Sequence, residues 1–316
     1  MRIFDRLYRR VTRSSAEATI DARRATRAIL IAFLAPALLI YAGFTIYPVV
    51  RTFYNAFHTI KPQGVVEFVG LDNFRALVFA DSTFWKAVAN TAWFTIVATI
   101  VDVVGGLLLA LCLFVRVPLA PVLRVVWFTP VLMSYVVVGI IWVWMYDYDW
   151  GLVNATLRWL GLGAFEQSWL GHPSTALWSV LVAHEWKWLG FNMIVFLAAL
   201  HALPAEVLGA AELDNCGWFA KLVHIIVPML RTTIVNLTVL SFIGKMMVFD
   251  LVWVMTGGGP LWSSETVSTY VYKRAFEWNT FDLGYPSAIA VLWFAIILLF
   301  VALMTRLLRQ RDRIEF

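Results

Sequence analysis

Charged residues are scarce in this 316-residue sequence: they make up 14% of it, against 61% apolar residues and a mean hydropathy of +0.77. Soluble domains carry about 25% charged residues, so this composition is incompatible with an ordinary soluble globular protein. The net charge of +5 comes mainly from arginines that flank apolar runs. A nucleic-acid-binding protein needs a basic patch mixed with aromatic side chains on a soluble domain, and the sequence does not have one.

Several chemical motifs are also missing. The two cysteines, Cys112 in an apolar run and Cys216 in a connector, lie at different membrane levels, so a disulfide is not expected. The five histidines lack metal-ligand spacing. There is no internal repeat of the kind common in secondary transporters. The only Gly-Lys pair, Gly244-Lys245, lacks the rest of a phosphate-binding loop, so the chain is not expected to bind ATP.

Long apolar runs are the main feature that is present. Each of six runs reaches the ~20 residues that a helix needs to cross a bilayer. They cover approximately residues 28–47, 88–115, 122–146, 176–203, 225–255 and 286–308. The predicted fold class is therefore all-α integral membrane with six transmembrane helices. The first run is longer than a signal-peptide core and no cleavage site follows it, so it is predicted to be a retained span.

The arginines predict the orientation of these helices. By the positive-inside rule both termini are expected in the cytoplasm, since arginines precede the first run and follow the last. Residues 1–27 are predicted to be a basic cytoplasmic segment, 28–308 the membrane domain and 309–316 a cytoplasmic tail. The connector at 147–175, with one basic residue, is expected outside. The flanking arginines are Arg2, Arg6, Arg9, Arg10, Arg13, Arg23, Arg24, Arg27, Arg306, Arg309, Arg311 and Arg313.

The connector between the fourth and fifth runs is patterned like short amphipathic helices. Its sequence "LGAAELDNCGWFAKLVHIIVP" has apolar residues at helical spacing and an interruption at Asn215 to Gly217. It resembles the cytoplasmic "EAA" loop of bacterial ABC importer permeases, E-A-A, three residues, G, nine residues, I-x-L-P. Gly209, Asn215 and Val227 depart from that pattern. The positions that agree with it are Ala210, Ala211, Asp214, Ile225 and Pro228.

Further segments strengthen the resemblance. "FDLVWVMTGGGPLWSSETVSTYVYKRAF" is similar to the T-x-G-G-P segment of carbohydrate-type permeases, the branch that includes maltose, trehalose and glycerol-3-phosphate systems. "WKWLGFNMIVFLAALHALPAEV" resembles the approach to the coupling loop in that branch. Together with "NFRAL" and "VWFTPVL", these motifs extend the resemblance from about Phe74 onward.

The resemblance implies the type I ABC importer permease fold and a set of partners. These are a second homologous permease subunit, two ATPase subunits that carry ATP and Mg²⁺, an extracytoplasmic sugar-binding protein and a sugar or oligosaccharide substrate. It also implies multi-pass insertion in the bacterial inner membrane. The loop at about 204–224 would couple to the ATPase; an interfacial helix on lipid is the alternative. The implied coupling residues are Gly209, Ala210, Ala211, Asp214, Asn215, Trp218 and Phe219.

The resemblance also implies substrate-binding positions in two runs. In each run they follow the i, i+3, i+4, i+7 spacing of one helix face. Helix packing by small residues is the alternative. A sugar needs an aromatic surface and hydrogen-bonding groups, which Trp186, Ser241 and Lys245 can supply. The implied positions are Trp186, Leu189, Gly190, Met193, Ser241, Gly244, Lys245 and Val248.

Ionisable residues within apolar runs require partners, because a charge at the membrane midplane costs at least ~2.5 kcal/mol. Asp102, Glu185, Lys187, Lys245 and Asp250 are such residues. Their spacing favours pairing between helices over pairing within one. Lys245 is expected either to contact the ligand, which we favour, or to neutralise Glu185.

The same residues admit two hypotheses from other functional classes. A proton-coupled secondary transporter could use Glu185 and Asp250 as proton relays, and the missing repeat counts against it. A membrane enzyme would need a catalytic cluster, for which "HEWKW", residues 184–188, is the one candidate. Adjacent His and Glu side chains do not converge on a helix, so an enzyme is not expected.

Overall fold

The computed structural model describes residues 30–60, 65–115, 118–278 and 282–309. The predicted cytoplasmic segment 1–27 and the tail beyond residue 309 lie outside these ranges. The described chain is mostly helical and divides between Asn55 and Ala56 into two compact units. Helix α1 (Leu30–Ala56) includes a π-helical turn at Ala42–Ile46. All of this helix except its last residue, Ala56, belongs to the first unit.

The second unit begins with a small antiparallel hairpin that the sequence did not predict. Strands β1 (His58–Ile60) and β2 (Val66–Phe68) pair with His58 opposite Phe68. Helix α2 (Asp72–Ala80) follows. The Asn73 amide donates to the carbonyls of Ala56 and His58 at 3.1 Å each, which fastens the hairpin to α2.

Helix α3 (Ser82–Phe114) is the second predicted span and begins six residues earlier than expected, at Ser82 instead of Val88. Its start is capped by Asp81, whose carboxylate accepts a hydrogen bond from the Phe84 amide at 2.9 Å. A π-helical turn at Val101–Gly105 interrupts it. Such turns are frequent at functional sites, and this one contains Asp102.

The third predicted span is not one continuous helix. Helix α4 (Ala120–Leu132) and helix α5 (Tyr135–Met145) meet at an angle of 105°. Pro130 interrupts the α-helical hydrogen bonds at the end of α4, since it has no N–H to donate. Ser134 then caps α5, accepting from the Val137 amide at 3.3 Å. Helix α6 (Leu152–Trp159) follows α5.

Helix α7 (Ala176–His201) is the most buried long helix of the second unit and packs against α3, α4, α5 and α10. Pro204 precedes helix α8 (Ala205–Leu213), which bends away by 75°. Helix α9 (Trp218–Met229) and helix α10 (Arg231–Met246) meet at 68°. The prediction of one helix over 225–255 was wrong, because α10 ends at Met246 and helix α11 (Asp250–Thr256) is separate.

The last elements are helix α12 (Val267–Tyr272), its π-helical continuation Lys273–Glu277, and helix α13 (Gly284–Arg309). In the described ranges, α1, α3 and α13 are single helices long and apolar enough to span a membrane. Each bent pair, α4 with α5, α7 with α8 and α9 with α10, passes the same test, which gives up to six spans.

Candidate functional site

A cavity of about 300 Å³ lies between α3, α5, α7 and α10. One wall is polar and carries Asp102, Ser241 and Lys245. The other wall is largely aromatic, so the cavity offers both stacking surfaces and hydrogen-bonding groups. Its lining consists of Asp102, Tyr135, His184, Trp188, Phe191, Asn192, Leu240, Ser241, Gly244 and Lys245.

The polar wall is built on an ion pair between α3 and α10. The Lys245 ammonium binds Asp102 Oδ2, and the Ser241 hydroxyl donates to the same oxygen at 3.0 Å. The two charged side chains are only 4% and 2% exposed. The expectation of a pair between helices is confirmed, but the partner of Lys245 is Asp102 and not Glu185.

Glu185 contacts its neighbour His184, which lines the cavity. Its Oε1 lies 3.1 Å from His184 Nδ1, so the expectation that these adjacent side chains do not converge was wrong. The His184 ring meets Phe94 edge-on at 5.3 Å and stacks on Tyr135 at 6.3 Å between centroids. These aromatic contacts hold the imidazole in place, and its contact with Glu185 positions that carboxyl group as well.

Lys187 is satisfied by backbone instead of by a carboxylate. Its ammonium donates to the carbonyls of Pro130, Val131 and Met133 at 3.3, 2.9 and 2.6 Å. These carbonyls belong to the break between α4 and α5, where helical hydrogen bonds are missing. Lys187 therefore stabilises the bend that brings Tyr135 to the cavity. The sequence signalled only that this charge needed partners.

A short hydrogen bond fixes two rings of the aromatic wall relative to each other. Trp188 Nε1 donates to the Tyr135 hydroxyl at 2.6 Å, which joins α7 to α5. The Lys187 ammonium lies 5.1 Å from the Tyr135 ring centroid and 5.5 Å from that of Trp188. Cation–π attraction of this kind favours one arrangement of the rings. Neither ring was predicted from the sequence to be a substrate-binding position.

The predicted substrate positions on α10 lie at the cavity, with one exception. Ser241, Gly244 and Lys245 line it. Val248, one turn further, is buried in a hydrophobic core cluster that includes Trp142 and Leu251. The end of α10 at Met246 breaks the helical face that the spacing predicted.

The four predicted substrate-binding positions on α7 pack against other helices instead of lining the cavity. Trp186 packs against Trp142, with ring centroids 5.9 Å apart, and Leu189 lies against Gly105. Met193 is fully buried in a core cluster. Gly190 touches the backbone of α4 so closely that a Cβ atom there would collide with the Trp127 carbonyl. The cavity-lining residues of α7 are His184, Trp188, Phe191 and Asn192.

The predicted coupling connector contains helix α8, a turn at residues 214–217 and the start of helix α9. Helix α8 ends at Leu213, Asn215 adopts a left-handed conformation with φ of 51°, and α9 begins at Trp218. The Lys221 ammonium bonds Glu212 at 2.8 Å and ties α9 to α8. Of the seven predicted residues, Ala211 is buried, Gly209 is half-buried, and Ala210, Asp214, Asn215, Trp218 and Phe219 are exposed.

The connector exposes three large apolar side chains. Leu213, Trp218 and Phe219 are 86%, 57% and 72% exposed. Contiguous exposed apolar surface rimmed by polar residues marks interaction sites.

The "TGGGP" segment is a loop that follows α11 and is fixed by contacts with buried residues. Gly257 and Gly258 have φ of 55° and 82°. A Cβ atom at Gly258 would overlap the buried Glu265 carboxylate, which pairs with Lys273 at 2.5 Å. The Asn90 amide of α3 donates to the Glu265 carbonyl at 2.9 Å. The motif therefore positions the chain between α11 and α12.

A second polar cluster surrounds Asp81, which lies just before α3. The hydroxyls of Tyr270 and Tyr285 donate to Asp81 Oδ2 at 2.5 and 2.6 Å, and Arg274 bonds the same oxygen at 3.3 Å. Burial by itself raises the pKa of Asp81, but the hydrogen bonds from Tyr270 and Tyr285 outweigh it and hold the pKa below its ordinary value. The ionised carboxylate thus joins α3, α12 and α13.

Comparisons with known proteins agree with this architecture. Residues 102–314 match the family described as "Binding-protein-dependent transport system inner membrane component". The sulfoquinovosyl glycerol transport system permease protein SmoG of Agrobacterium fabrum is 30% identical over 296 residues, covering 90% of this chain and 92% of the relative. The trehalose/maltose transport system permease protein MalF of Thermococcus litoralis is 31% identical over 279 residues, covering 87% and 92%.

A solved structure shows the same fold. A chain of a bacterial alginate ABC transporter, in complex with an alginate pentasaccharide-bound periplasmic protein, superposes with a TM-score of 0.80 at 21% identity. The match covers 92% of this chain and 96% of that one. The class is thus an ABC importer permease with the type I fold. This chain belongs to the family of binding-protein-dependent transport system inner membrane components, which confirms the family predicted from its motifs.

Proposed function

We propose that the chain forms half of the translocation pathway of an importer for sugars or oligosaccharides. The cavity between α3, α5, α7 and α10 carries this proposal, because its lining combines aromatic rings with hydrogen-bonding groups. A sugar ring presents apolar faces to such rings and hydroxyls to such groups. Relatives named for trehalose/maltose, arabinooligosaccharides and diacetylchitobiose support a carbohydrate substrate.

The proposed complex contains a second permease subunit, two ATPase subunits with ATP and Mg²⁺, and an extracytoplasmic binding protein. The solved relative in complex with a periplasmic protein supports the last of these. The chain is proposed to lie in the bacterial inner membrane with both termini in the cytoplasm. It contributes no ATP hydrolysis itself, and the partner ATPases drive alternating exposure of the cavity.

Co-purification with these partners, followed by a ligand-stimulated ATPase assay over a sugar panel, tests the proposal. We expect stimulation by at least one sugar in the presence of the binding protein. Uptake that persists without ATP and collapses with an uncoupler would instead identify a proton-coupled carrier.

Replacing Phe219 with Asp should uncouple ATP hydrolysis from transport. Phe219 is 72% exposed on the connector, and a carboxylate there would have to be desolvated in an apolar contact with the ATPase. We expect uptake to fall at least about tenfold, while the purified subunit keeps its fold. The control is Phe219→Leu, which keeps the apolar contact. Transport by the Phe219→Asp variant at the unmutated rate would show that the coupling contact with the ATPase lies elsewhere.

Cysteine labelling tests the proposed orientation. A membrane-impermeant thiol reagent should reach Ser168→Cys in intact cells, since Ser168 is exposed on the connector after α6. Cys216 should react only in opened membranes. Ser263, which is also expected outside, is less suitable for labelling because its hydroxyl oxygen is buried. Labelling of Cys216 in intact cells would reverse both the orientation and the coupling assignment.

A further inference from the structure

Asn192 on α7 places a buried amide in the lining of the cavity between α3, α5, α7 and α10. The residue is 1% exposed, and its Oδ1 accepts no hydrogen bond from the residues that the structure describes. A buried amide oxygen without a donor is unfavourable, because it has lost its hydrogen bonds to water and gained none in the protein. Such an atom in the lining of a cavity needs an explanation, and a ligand that donates a hydrogen bond provides one.

Two contacts set the orientation of this amide. Asn192 Nδ2 donates to the Trp188 carbonyl at 3.4 Å, so Oδ1 is the end of the amide that has no partner. Asn192 also packs against α3 at Gly106, where a Cβ atom would come within 2.6 Å of Asn192 Cβ. Gly106 therefore allows the close approach, and this packing restricts the position of the amide beside the cavity.

Other polar groups of the lining bond to one another. Ser241 and Lys245 both donate to Asp102 Oδ2. Asp102 Oδ1 is a second buried oxygen without a donor in the described residues, but its carboxylate already binds a hydroxyl and an ammonium through Oδ2. The Asn192 amide differs, because its only oxygen accepts from no described donor.

Trp188 supplies an aromatic surface next to this oxygen. Trp188 and Asn192 both line the cavity and are four residues apart on α7, so they lie on the same face of the helix. Trp188 Nε1 donates to the Tyr135 hydroxyl at 2.6 Å, so the indole can offer a ligand its ring but not its N–H. An aromatic ring beside a hydrogen-bond acceptor suits a sugar, which has apolar ring faces and hydroxyls at its edges.

We propose that Asn192 Oδ1 accepts a hydrogen bond from one hydroxyl of the transported sugar, whose ring lies against Trp188. Asn192 is then a specificity-determining residue, because it selects sugars with a free hydroxyl at this position over their deoxy derivatives. The inference rests on the proposed function and deepens it, since it names the group of the substrate that this residue recognises.

Thermal unfolding of the purified complex without sugar tests whether the amide oxygen is unpaired. Asn192→Leu keeps the size of the side chain and removes its polar atoms, so we expect unfolding at or above the unmutated temperature. The matched control is Asn154→Leu. Asn154 is also buried, but its Nδ2 donates to the carbonyls of Tyr148 and Gln167 and its Oδ1 accepts from Trp169 Nε1. The control should unfold several degrees below the unmutated complex.

Equilibrium binding to the assembled complex without binding protein tests the contact with the sugar. The probes are trehalose, maltose and diacetylchitobiose, each with its monodeoxy derivatives. We expect one monodeoxy derivative to bind the unmutated complex at least about tenfold more weakly than its parent, since it leaves Oδ1 unpaired. In Asn192→Leu the parent should bind about as weakly as that derivative, while the derivative itself should bind both complexes equally. A purely structural role of Asn192 would weaken the parent and every derivative by the same factor.

Two results would overturn the proposal. One is an Asn192→Leu variant that fails to assemble or unfolds as early as Asn154→Leu, since the amide oxygen would then be paired within the protein. The other is binding to the unmutated complex that is equal for each parent sugar and all of its monodeoxy derivatives. Failure of the proposed function has a different signature, because no sugar would then stimulate the ATPase in the presence of the binding protein.

Discussion

Replacing Lys187 with Met is expected to destabilise the protein by about 3 to 5 kcal/mol and to prevent normal assembly. The ammonium donates to three backbone carbonyls at the break between α4 and α5. Methionine has similar length and no donor, so these carbonyls would lose their partners in an apolar environment. The measurement is thermal unfolding of the purified complex, together with the yield of assembled complex.

Lys221→Met is the matched control, because it makes the same chemical change at a lysine whose acidic partner is exposed to solvent. Its partner Glu212 has a side chain 71% exposed, and such surface pairs contribute little to stability. We expect this variant to unfold at nearly the unmutated temperature. If Lys187→Met behaves like Lys221→Met, the ammonium does not support the bend.

Lys245→Gln is expected to destabilise the protein by about 3 to 5 kcal/mol, because it leaves the Asp102 carboxylate without its cation. Asp102 has a side chain only 2% exposed. Adding Asp102→Asn should restore assembly, since the buried charge is then removed with its partner. Thermal unfolding of the single and double variants measures both effects.

Glu185→Gln is the matched control for the rescue, because it also neutralises a nearby acid. It should not rescue Lys245→Gln, since the ammonium pairs with Asp102. A Lys245→Gln variant that assembles normally and transports a few-fold to tens-fold more slowly would instead support a direct bond between Lys245 and a ligand oxygen. Rescue of Lys245→Gln by Glu185→Gln would show that Lys245 pairs with Glu185 and not with Asp102.

Local sequence patterns predicted the helices more successfully than their ends. Hydropathy located all six apolar regions, but the runs at 122–146 and 225–255 each contain a break. Pro130 was a visible signal for the first break. The end of α10 at Met246 had no comparable signal, because neither proline nor glycine lies between Met246 and Asp250.

The candidate site was predicted on one helix and missed on another. Ser241, Gly244 and Lys245 share a face by spacing, and that face lines the cavity. Spacing on α7 grouped Trp186, Leu189, Gly190 and Met193 equally well, yet they pack against neighbouring helices. Helix α7 has apolar residues on all of its faces. The spacing of its apolar residues therefore does not indicate which face borders the cavity.

The sequence alone determined the apolar segments, the need of each buried charge for a partner, and the motifs that define the family. These are local properties, since transfer of a segment into lipid depends on its own composition. The tertiary structure decided that Asp102 meets Lys245 across 143 positions and that Lys187 binds the carbonyls of a broken helix. Such contacts depend on how helices pack and where they bend, and neither property is encoded in a single segment.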